Sequence, residues 1–246
     1  KNLHLVTMSQ SGGPSYKIDG QHIQWLNWDL RYSFSAIKGL QLHQVGYRDG
    51  GRLRSILYKI GLSEMAVPYG DPDKNWSFRN AFDVGEYGLG RTAHSLKRGV
   101  DVPAYAKLFD AVFSDWKGNP VKVPNAVAVY ERPAGVLWKH ADSDTGLVDA
   151  RLGQELVVTF MTTVGNYDYG ISYVFSLDGG IDIEARLTGI LLAKGSAITQ
   201  VPCDKECFPL VEKQVITPPH QHFFNFRIDF DIDGVKNAAY QMDSVA

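Results

Sequence analysis

Two histidines separated by one residue, His220 and His222, are the side chains of this sequence best suited to binding a metal ion. Apolar and polar residues alternate over residues 220–232, which predicts a β-strand. Side chains at i and i+2 of a strand share a face and lie about 6.6 Å apart, so both imidazoles can reach one ion. Imidazole ligands favour Cu(II) over its neighbours. The pattern therefore predicts a metal site, although two histidines bonded to backbone carbonyls would fit the same sequence.

The carboxyl group of Asp83 is a candidate general base. Asp83 lies between Phe82 and Val84, which predicts partial burial. Burial raises the pKa of a carboxyl group, and a raised pKa suits proton transfer near neutral pH. A turn or capping role for Asp83 would explain the same pattern, because a turn-rich segment, residues 68–73, precedes it.

Tyr167 lies between Asn166 and Asp168, at the junction of two apolar runs. The runs, residues 155–164 and 171–177, are short, β-branched and aromatic, which is typical of buried strands. Asn and Asp are poor strand formers. Their polarity here indicates either a functional role or a strand with a polar bulge.

An acidic pair forms the last candidate site. Asp229 and Asp231 share one face of the predicted 220–232 strand, with the carbonyl of Phe230 between them. Hard oxygen ligands at this spacing suit Ca²⁺. A solvated acidic edge that discourages strand pairing is the alternative.

Three of these stretches resemble motifs of the copper amine oxidases, in the order in which that family carries them. Residues 163–169, Thr-Val-Gly-Asn-Tyr-Asp-Tyr, are similar to the motif whose tyrosine becomes topaquinone. The segment from Tyr69 to Asp83 resembles the one that carries the family's catalytic base. His220-Gln221-His222 resembles its copper-binding pair.

The resemblance implies a primary amine oxidase, which converts a primary amine, O2 and water to an aldehyde, ammonia and H2O2. The amine would form a Schiff base with topaquinone derived from Tyr167, and Asp83 would remove the α-proton. Tyr69 would hydrogen-bond the cofactor, and Asn166 would help orient its ring. Asp168 fills the acidic position of the motif without an assigned step.

The resemblance also implies the metals and the assembly. Cu(II) would bind His220 and His222, and calcium or a similar ion would bind at Asp229, Phe230 and Asp231. The family's catalytic domain is a large β-sandwich that forms a homodimer, with arms crossing between the subunits.

Two positions depart from the family pattern. Ala81 stands where some members place an aromatic gate, which predicts a wider substrate channel. Val102 and Ala128 stand where we match the family's disulfide, so we expect apolar packing in place of that bridge.

The copper site is predicted to be incomplete. The family supplies a third histidine well downstream of the pair, and the other histidines of this sequence precede the pair and match no ligand motif. We therefore expect residues 1–246 to be one piece of the catalytic domain, without the small N-terminal domains and the C-terminal remainder. Alone, this piece is expected to be inactive.

Two other classes of protein remain as alternatives. A cupin-like oxygenase also uses His-x-His, but its motif has Glu four residues after the second histidine, where this sequence has Phe226. A non-catalytic β-sandwich could carry the same motifs as relics.

The elements that position these residues are predicted to be strands of an all-β, antiparallel sandwich. Strands are expected at 40–47, 53–60, 105–113, 121–129, 136–139 and 181–188, with hairpin turns at 48–51 and 176–180. Residues 63–67 are expected to form at most a short helical turn. Residues 195–213 are predicted to be a loop that holds Cys203 and Cys207 as a disulfide or as free thiols.

Composition excludes some partners. The 246 residues carry a net charge of −2 and no basic stripe, so we expect no nucleic-acid binding. Apolar runs fall short of the roughly 20 residues of a membrane span, so we expect no membrane partner.

Overall fold

The computed structural model describes residues 4, 6–200 and 209–244. Its strands are β1 (Tyr16–Asp19), β2 (His22–Trp25), β3 (Trp28–Ser35), β4 (Gly39–Asp49), β5 (Arg52–Pro68), β6 (Asn80–Phe82), β7 (Lys107–Ser114), β8 (Pro120–Ala141), β9 (Val148–Val164), β10 (Tyr167–Ser176), β11 (Ile181–Gly189), β12 (Lys194–Gly195), β13 (Leu210–Glu212), β14 (Val215–Ile216) and β15 (Phe223–Phe230). The described residues contain one helix, α1 (Asp83–Glu86).

Two large sheets organise the chain. The first has the order β1-β2-β3-β4-β5-β15, with β6 also paired to β5, and the second has the order β11-β10-β9-β8-β7. A small third sheet has the order β12-β14-β13. The strands pair antiparallel throughout these sheets, which confirms the predicted fold class.

The core lies between the two large sheets. The ring of Trp28 from the first sheet meets Phe175 of the second edge-on, with centroids 5.0 Å apart. Phe34 meets Phe160 in the same way at 5.6 Å. Trp28, Phe160 and Phe175 are buried, and full burial of a large apolar side chain contributes about 1.5–3 kcal/mol, so these contacts hold the sheets together as a sandwich. No described helix has the length and apolar character needed to cross a membrane.

Both predicted hairpins are present. Gly50 and Gly51 join β4 to β5 with φ of 54° and 85°, the left-handed region that a two-residue hairpin turn requires. The turn before β11 contains Gly179, also with positive φ. These glycines fix the register of the strands on either side.

Two local predictions are wrong. Residues 63–67 are strand, not a helical turn, because β5 runs for 17 residues and pairs with β4, β6 and β15 along its length. Residues 121–129 and 136–139 belong to one strand, β8, whose pairing with β9 is irregular between Pro133 and Trp138. In both segments, hydrogen bonding to strands distant in sequence determines the secondary structure.

The strand predicted at 220–232 is shorter than expected. β15 begins at Phe223, so His220 and His222 precede it. Pro218 and Pro219 have no N–H to donate to a ladder, and His220 makes only an isolated bridge with Tyr69. Within β15 the predicted alternation holds as far as Ile228, since Phe224, Phe226 and Ile228 pack against the core. It fails at Phe230, which is 52% exposed and follows a shift in register.

The positions matched to a family disulfide pack together instead. Val102 and Ala128 lie in one buried cluster with Leu96 and Ala106, as the sequence predicted. The predicted 195–213 loop carries short strands at its ends, β12 and β13. Cys203 and Cys207 lie outside the described residues.

Candidate active site

Tyr167 is the first residue of β10 and follows a tight turn. It pairs with Val164 across a two-residue connection, Gly165-Asn166, in which Gly165 has φ of 58°. The polar junction in the sequence is therefore a turn between two buried strands, not a bulge. The phenol oxygen of Tyr167 accepts a hydrogen bond from the N–H of Leu192 at 3.0 Å. The turn and this bond hold the ring at the rim of the sandwich.

Asp83 begins α1 and is 4% exposed. Burial raises the pKa of its carboxyl group from 3.8 to about 6, and the charges of Glu86 and Glu64 add to the rise. The hydroxyl of Tyr169 donates a hydrogen bond to Oδ2 of Asp83 at 3.2 Å, which lowers this pKa in part. The predicted desolvation of Asp83 is confirmed, and its Oδ1 accepts no hydrogen bond from the described residues.

The imidazoles of His220 and His222 lie with their ring centroids 5.0 Å apart. Nδ1 of His220 lies 3.0 Å from the carbonyl of Pro218 and can only donate to it. Nδ1 of His222 lies 3.1 Å from the Tyr169 hydroxyl, and donates to it when that hydroxyl donates to Asp83. In this network both Nε2 atoms keep a free lone pair, the arrangement that second partners impose on metal-binding histidines.

The histidine pair and Tyr167 form one cluster. The ring of Tyr167 lies 5.3 Å from the ring of each histidine. Tyr69 stacks on His220 at 4.8 Å with 24° between the planes. Burial, together with the neighbouring hydroxyl of Tyr167, raises the pKa of Tyr69. Three stretches far apart in sequence therefore meet at one point.

A cavity of about 230 Å³ opens beside this cluster. Its lining includes five residues that the sequence singled out: Tyr69, Ala81, Asp83, Asn166 and Tyr167. The remaining wall is formed by Val67, Arg79, Tyr87, Val164, Gly165 and Leu192. A larger cavity, about 500 Å³, lies over β8 to β11 and is lined by none of the predicted catalytic, cofactor or metal-binding residues. The candidate site is therefore the smaller cavity.

The residues present fit a copper ion in part. Two imidazoles with free Nε2 atoms suit Cu(II), and they lie beside the tyrosine of the cofactor motif. Within the described part of the chain, no group of three or more His, Cys, Asp or Glu could hold a metal. The pair would thus supply two ligands of a copper site that needs at least one more.

The acidic pair lies away from this cluster. Oδ2 of Asp231 accepts a hydrogen bond from Ser55 at 2.7 Å. The carbonyl of Phe230 accepts one from the amide of Asn237 at 3.3 Å, and Asp229 is exposed opposite Lys59. The calcium site at these three residues stays a prediction.

Two residues of the site were missed in the sequence. Tyr169, two residues after Tyr167, resembles an ordinary buried tyrosine, yet its hydroxyl joins Asp83 to His222. The i, i+2 spacing of a strand could have placed it beside Tyr167. Arg79 reaches the cavity from a turn, and no spacing rule would have found it.

Comparison with known proteins identifies the family to which this chain belongs. A family model described as the enzyme domain of copper amine oxidase matches residues 17–246. A histamine oxidase of Arthrobacter globiformis is 40% identical over 244 residues, which cover 99% of this chain and 35% of that protein. A primary amine oxidase of Klebsiella aerogenes is 39% identical over 243 residues, or 97% of this chain and 32% of that protein. The chain thus spans about a third of the length of these curated relatives.

Solved structures of amine oxidases have a similar fold. A copper-containing benzylamine oxidase from Hansenula polymorpha has a TM-score of 0.84 and 33% identity, over 95% of this chain and 36% of that chain. An Aspergillus nidulans amine oxidase also has a TM-score of 0.84, with 26% identity over 94% of this chain and 30% of that one. With a family model matched over nearly its whole length and relatives near 40% identity, the chain belongs to the copper amine oxidase family.

Proposed function

We propose that this chain carries the reaction site of a primary amine oxidase, which converts a primary amine, O2 and water to an aldehyde, ammonia and H2O2. One observation carries the proposal. The carboxyl of Asp83, with its pKa raised to about 6, lines the same cavity as the Tyr167 ring, and two imidazoles lie 5.3 Å from that ring. A base, a modifiable tyrosine and a metal-binding pair are the parts that this reaction needs.

His220 and His222 would hold the copper, and Tyr167 is the residue that would become topaquinone. When present, these groups supply oxidation by O2 and an acceptor for the electron pair of the substrate. Everything else at the site is positioning and proton transfer by side chains of the chain itself.

Asp83 takes the proton from the carbon next to the substrate nitrogen. Its Oδ2 is occupied by the Tyr169 hydroxyl, so Oδ1 is the atom that faces substrate. A base with a pKa of about 6 is mostly ionised at neutral pH and still basic enough to accept a proton.

Tyr69 and Asn166 position the ring of residue 167. Tyr69 is held by its stack on His220, and its hydroxyl faces that of Tyr167 closely enough to raise the pKa of Tyr69. Asn166 lines the cavity next to the ring, and its carbonyl accepts a bond from the N–H of Ile190 at 2.8 Å. With the ring held in one orientation, a substrate bound at it would keep its reacting carbon in a constant position relative to Asp83.

A second metal site is also part of the proposal. Calcium or a similar ion would bind the Asp229 and Asp231 carboxylates and the Phe230 carbonyl, displacing the Asn237 amide from that carbonyl.

The copper site needs more than the two imidazoles of His220 and His222. Because a further ligand is required, the 246-residue chain alone should produce no H2O2 from amines. H2O2 production by the purified chain would contradict this.

A homodimer is supported by the far end of the β8–β9 hairpin. Beyond Arg132 this ribbon exposes apolar side chains, namely Val136, Leu137, Trp138, Leu147, Val148 and Leu152. A two-stranded ribbon is marginally stable without further packing. A second subunit would cover these side chains.

The test is covalent labelling of residue 167. The natural full-length polypeptide is loaded with copper in air, treated with phenylhydrazine and digested, and the peptide containing Tyr167 is weighed. We expect a labelled, oxidised Tyr167 and an absorbance change that depends on copper. The Tyr167→Phe variant is the control and should stay unlabelled. An unmodified Tyr167 in the copper-loaded polypeptide would contradict the proposal and favour a non-catalytic sandwich.

A further inference from the structure

An arginine forms part of the wall of the Tyr167 cavity. The charged residues that line this cavity are Asp83 and Arg79. Asp83 serves as the base in the proposed function, whereas Arg79 has no role in it. Within the described residues the Arg79 guanidinium forms no ion pair, so its charge is available to a ligand.

Backbone and aromatic contacts fix the position of this charge. The Arg79 N–H donates to the carbonyl of Trp76 at 2.8 Å, and its carbonyl accepts from the N–H of Tyr69 at 3.1 Å. The guanidinium carbon lies 4.2 Å from the centre of the Trp76 ring and 5.9 Å from that of Tyr69. Arginine over aromatic faces is attracted by their electron density, which holds the side chain against the cavity wall.

The other cation at Trp76 is neutralised. Lys194 lies 5.3 Å from the Trp76 ring, but its ammonium pairs with Asp71 at 2.6 Å and lies 3.5 Å from Asp73. Of the two cations, Arg79 is therefore the one whose charge acts on the cavity. The rest of the wall is aromatic or aliphatic, except for Asp83 and Asn166.

We propose that Arg79 determines substrate specificity by selecting monoamines whose far end is anionic or uncharged over diamines. The inference rests on the proposed function, in which the reacting nitrogen lies at Tyr167. The far end of the substrate then lies against the cavity wall. A second ammonium there is repelled by the guanidinium, whereas a carboxylate is attracted to it.

Three amines with the same six-carbon chain test the proposal: hexylamine, hexane-1,6-diamine and 6-aminohexanoate. With the copper-loaded full-length polypeptide, kcat/KM should be highest for 6-aminohexanoate and lowest for the diamine. Arg79→Gln should raise kcat/KM for the diamine about fivefold and lower it for 6-aminohexanoate by a similar factor, a size set by a partly exposed charge. Hexylamine should change by less than about twofold.

Further variants separate charge from structure. Arg79→Glu should reverse the order of the two charged substrates, and Arg79→Lys should keep it. Arg52→Gln, at the exposed start of β5, removes a positive charge elsewhere and should leave the three ratios unchanged. The discrimination should weaken as salt is raised from about 0.01 to 0.15 M, because screening shortens the reach of the charge.

The experiment distinguishes failure of the role of Arg79 from failure of the proposed function. If the parent protein oxidises hexylamine but the substrate ratios are the same in Arg79→Gln and Arg79→Glu, Arg79 does not select substrates. If the parent protein oxidises none of the three amines and Tyr167 stays unlabelled by phenylhydrazine, the proposed function is wrong. If Tyr167 is labelled but 6-aminohexanoate is not oxidised, the proposed function stands and the role of Arg79 is overturned.

Discussion

The charge of Asp83 should set the acid limb of the pH profile. A base with a pKa raised to about 6 is protonated below that pH and ionised above it. In the full-length, copper-loaded polypeptide, kcat/KM for a neutral-tailed amine should therefore rise as pH increases through about 6. Asp83→Asn should lose at least about a hundredfold in kcat/KM, the range expected for a lost general base.

Labelling separates this role from a structural one. Asp83→Asn should still react with phenylhydrazine at Tyr167, because the base is not needed to hold the quinone. A pH profile with no inflection near 6, or Asp83→Asn with parental activity, would count against the assignment.

Tyr169 is predicted to position Asp83. Its hydroxyl donates to Oδ2 and thereby lowers the pKa of the carboxyl group. Tyr169→Phe should move the acid limb of kcat/KM to higher pH and reduce kcat by about ten- to a hundredfold, the cost of one charge-assisted hydrogen bond. Tyr173→Phe is the matched control, since Tyr173 is equally buried on the same strand and bonds the carbonyl of Leu40.

At this scale the sequence identified the residues that lie within motifs. The histidine pair could be proposed from its spacing and Asp83 from its apolar neighbours, whereas Tyr167 and Tyr69 were assigned through the resemblance to a family. The bond from Tyr169 to Asp83 joins residues 86 positions apart. Only the packing of β10 beside α1 creates it, so no local pattern could reveal it.

The short helix α1 is held by a residue of β5. The Glu64 carboxylate accepts hydrogen bonds from the N–H groups of Val84 at 3.0 Å and Gly85 at 3.2 Å, next to Asp83. A Cβ on Gly85 would lie 2.9 Å from Oε2 of Glu64, so glycine permits this close approach. The position of α1 and of Asp83 therefore depends on β5, whose residues 63–67 were predicted from the local sequence to form at most a short helical turn.

Substitutions at Glu64 should separate its hydrogen bonds from its charge. Glu64→Gln keeps an acceptor but removes a negative charge that raises the pKa of Asp83, so the acid limb should move to lower pH. Glu64→Ala also removes the acceptor, and amide exchange at Val84 and Gly85 should become about tenfold faster. Equal exchange rates in the parent and in Glu64→Ala would show that the cap is unimportant.

Some ends of the strands are determined by local sequence, and others by pairing with distant strands. The hairpin at 48–51 was predictable because Gly-Gly chemistry fixes a turn locally. The starting point of β15 was not, because it depends on the pairing with β5 that begins at Phe223. From the alternation of apolar and polar residues alone, the strand was predicted to begin at His220.

For the whole molecule, we predict that the exposed end of the β8–β9 hairpin forms the contact between subunits. Val136 and Leu152 are cross-strand partners, 70% and 59% exposed. Replacing both with Asp in the full-length polypeptide should weaken dimerisation about a hundredfold or more by sedimentation velocity, as for a central apolar contact. Val112→Asp, at a position of β7 that is 60% exposed, is the control. A dimer unaffected by the double substitution would place the interface elsewhere.

The sandwich was predictable from alternation and turns, because these specify strands with one buried face. The order β11-β10-β9-β8-β7 and the meeting of Trp28 with Phe175 were not. They arise when two sheets pack, and a single sequence carries no direct signal of such long-range contacts.

The position of β15 in its sheet has a practical consequence. It is the last described strand of the first sheet and pairs there only with β5. Its other edge presents backbone groups that can template the addition of another strand. A strand added there would lie next to the segment that carries His220 and His222. The same edge makes the isolated chain prone to self-association, so its purification would benefit from low concentration or from a chain that supplies the neighbouring strand.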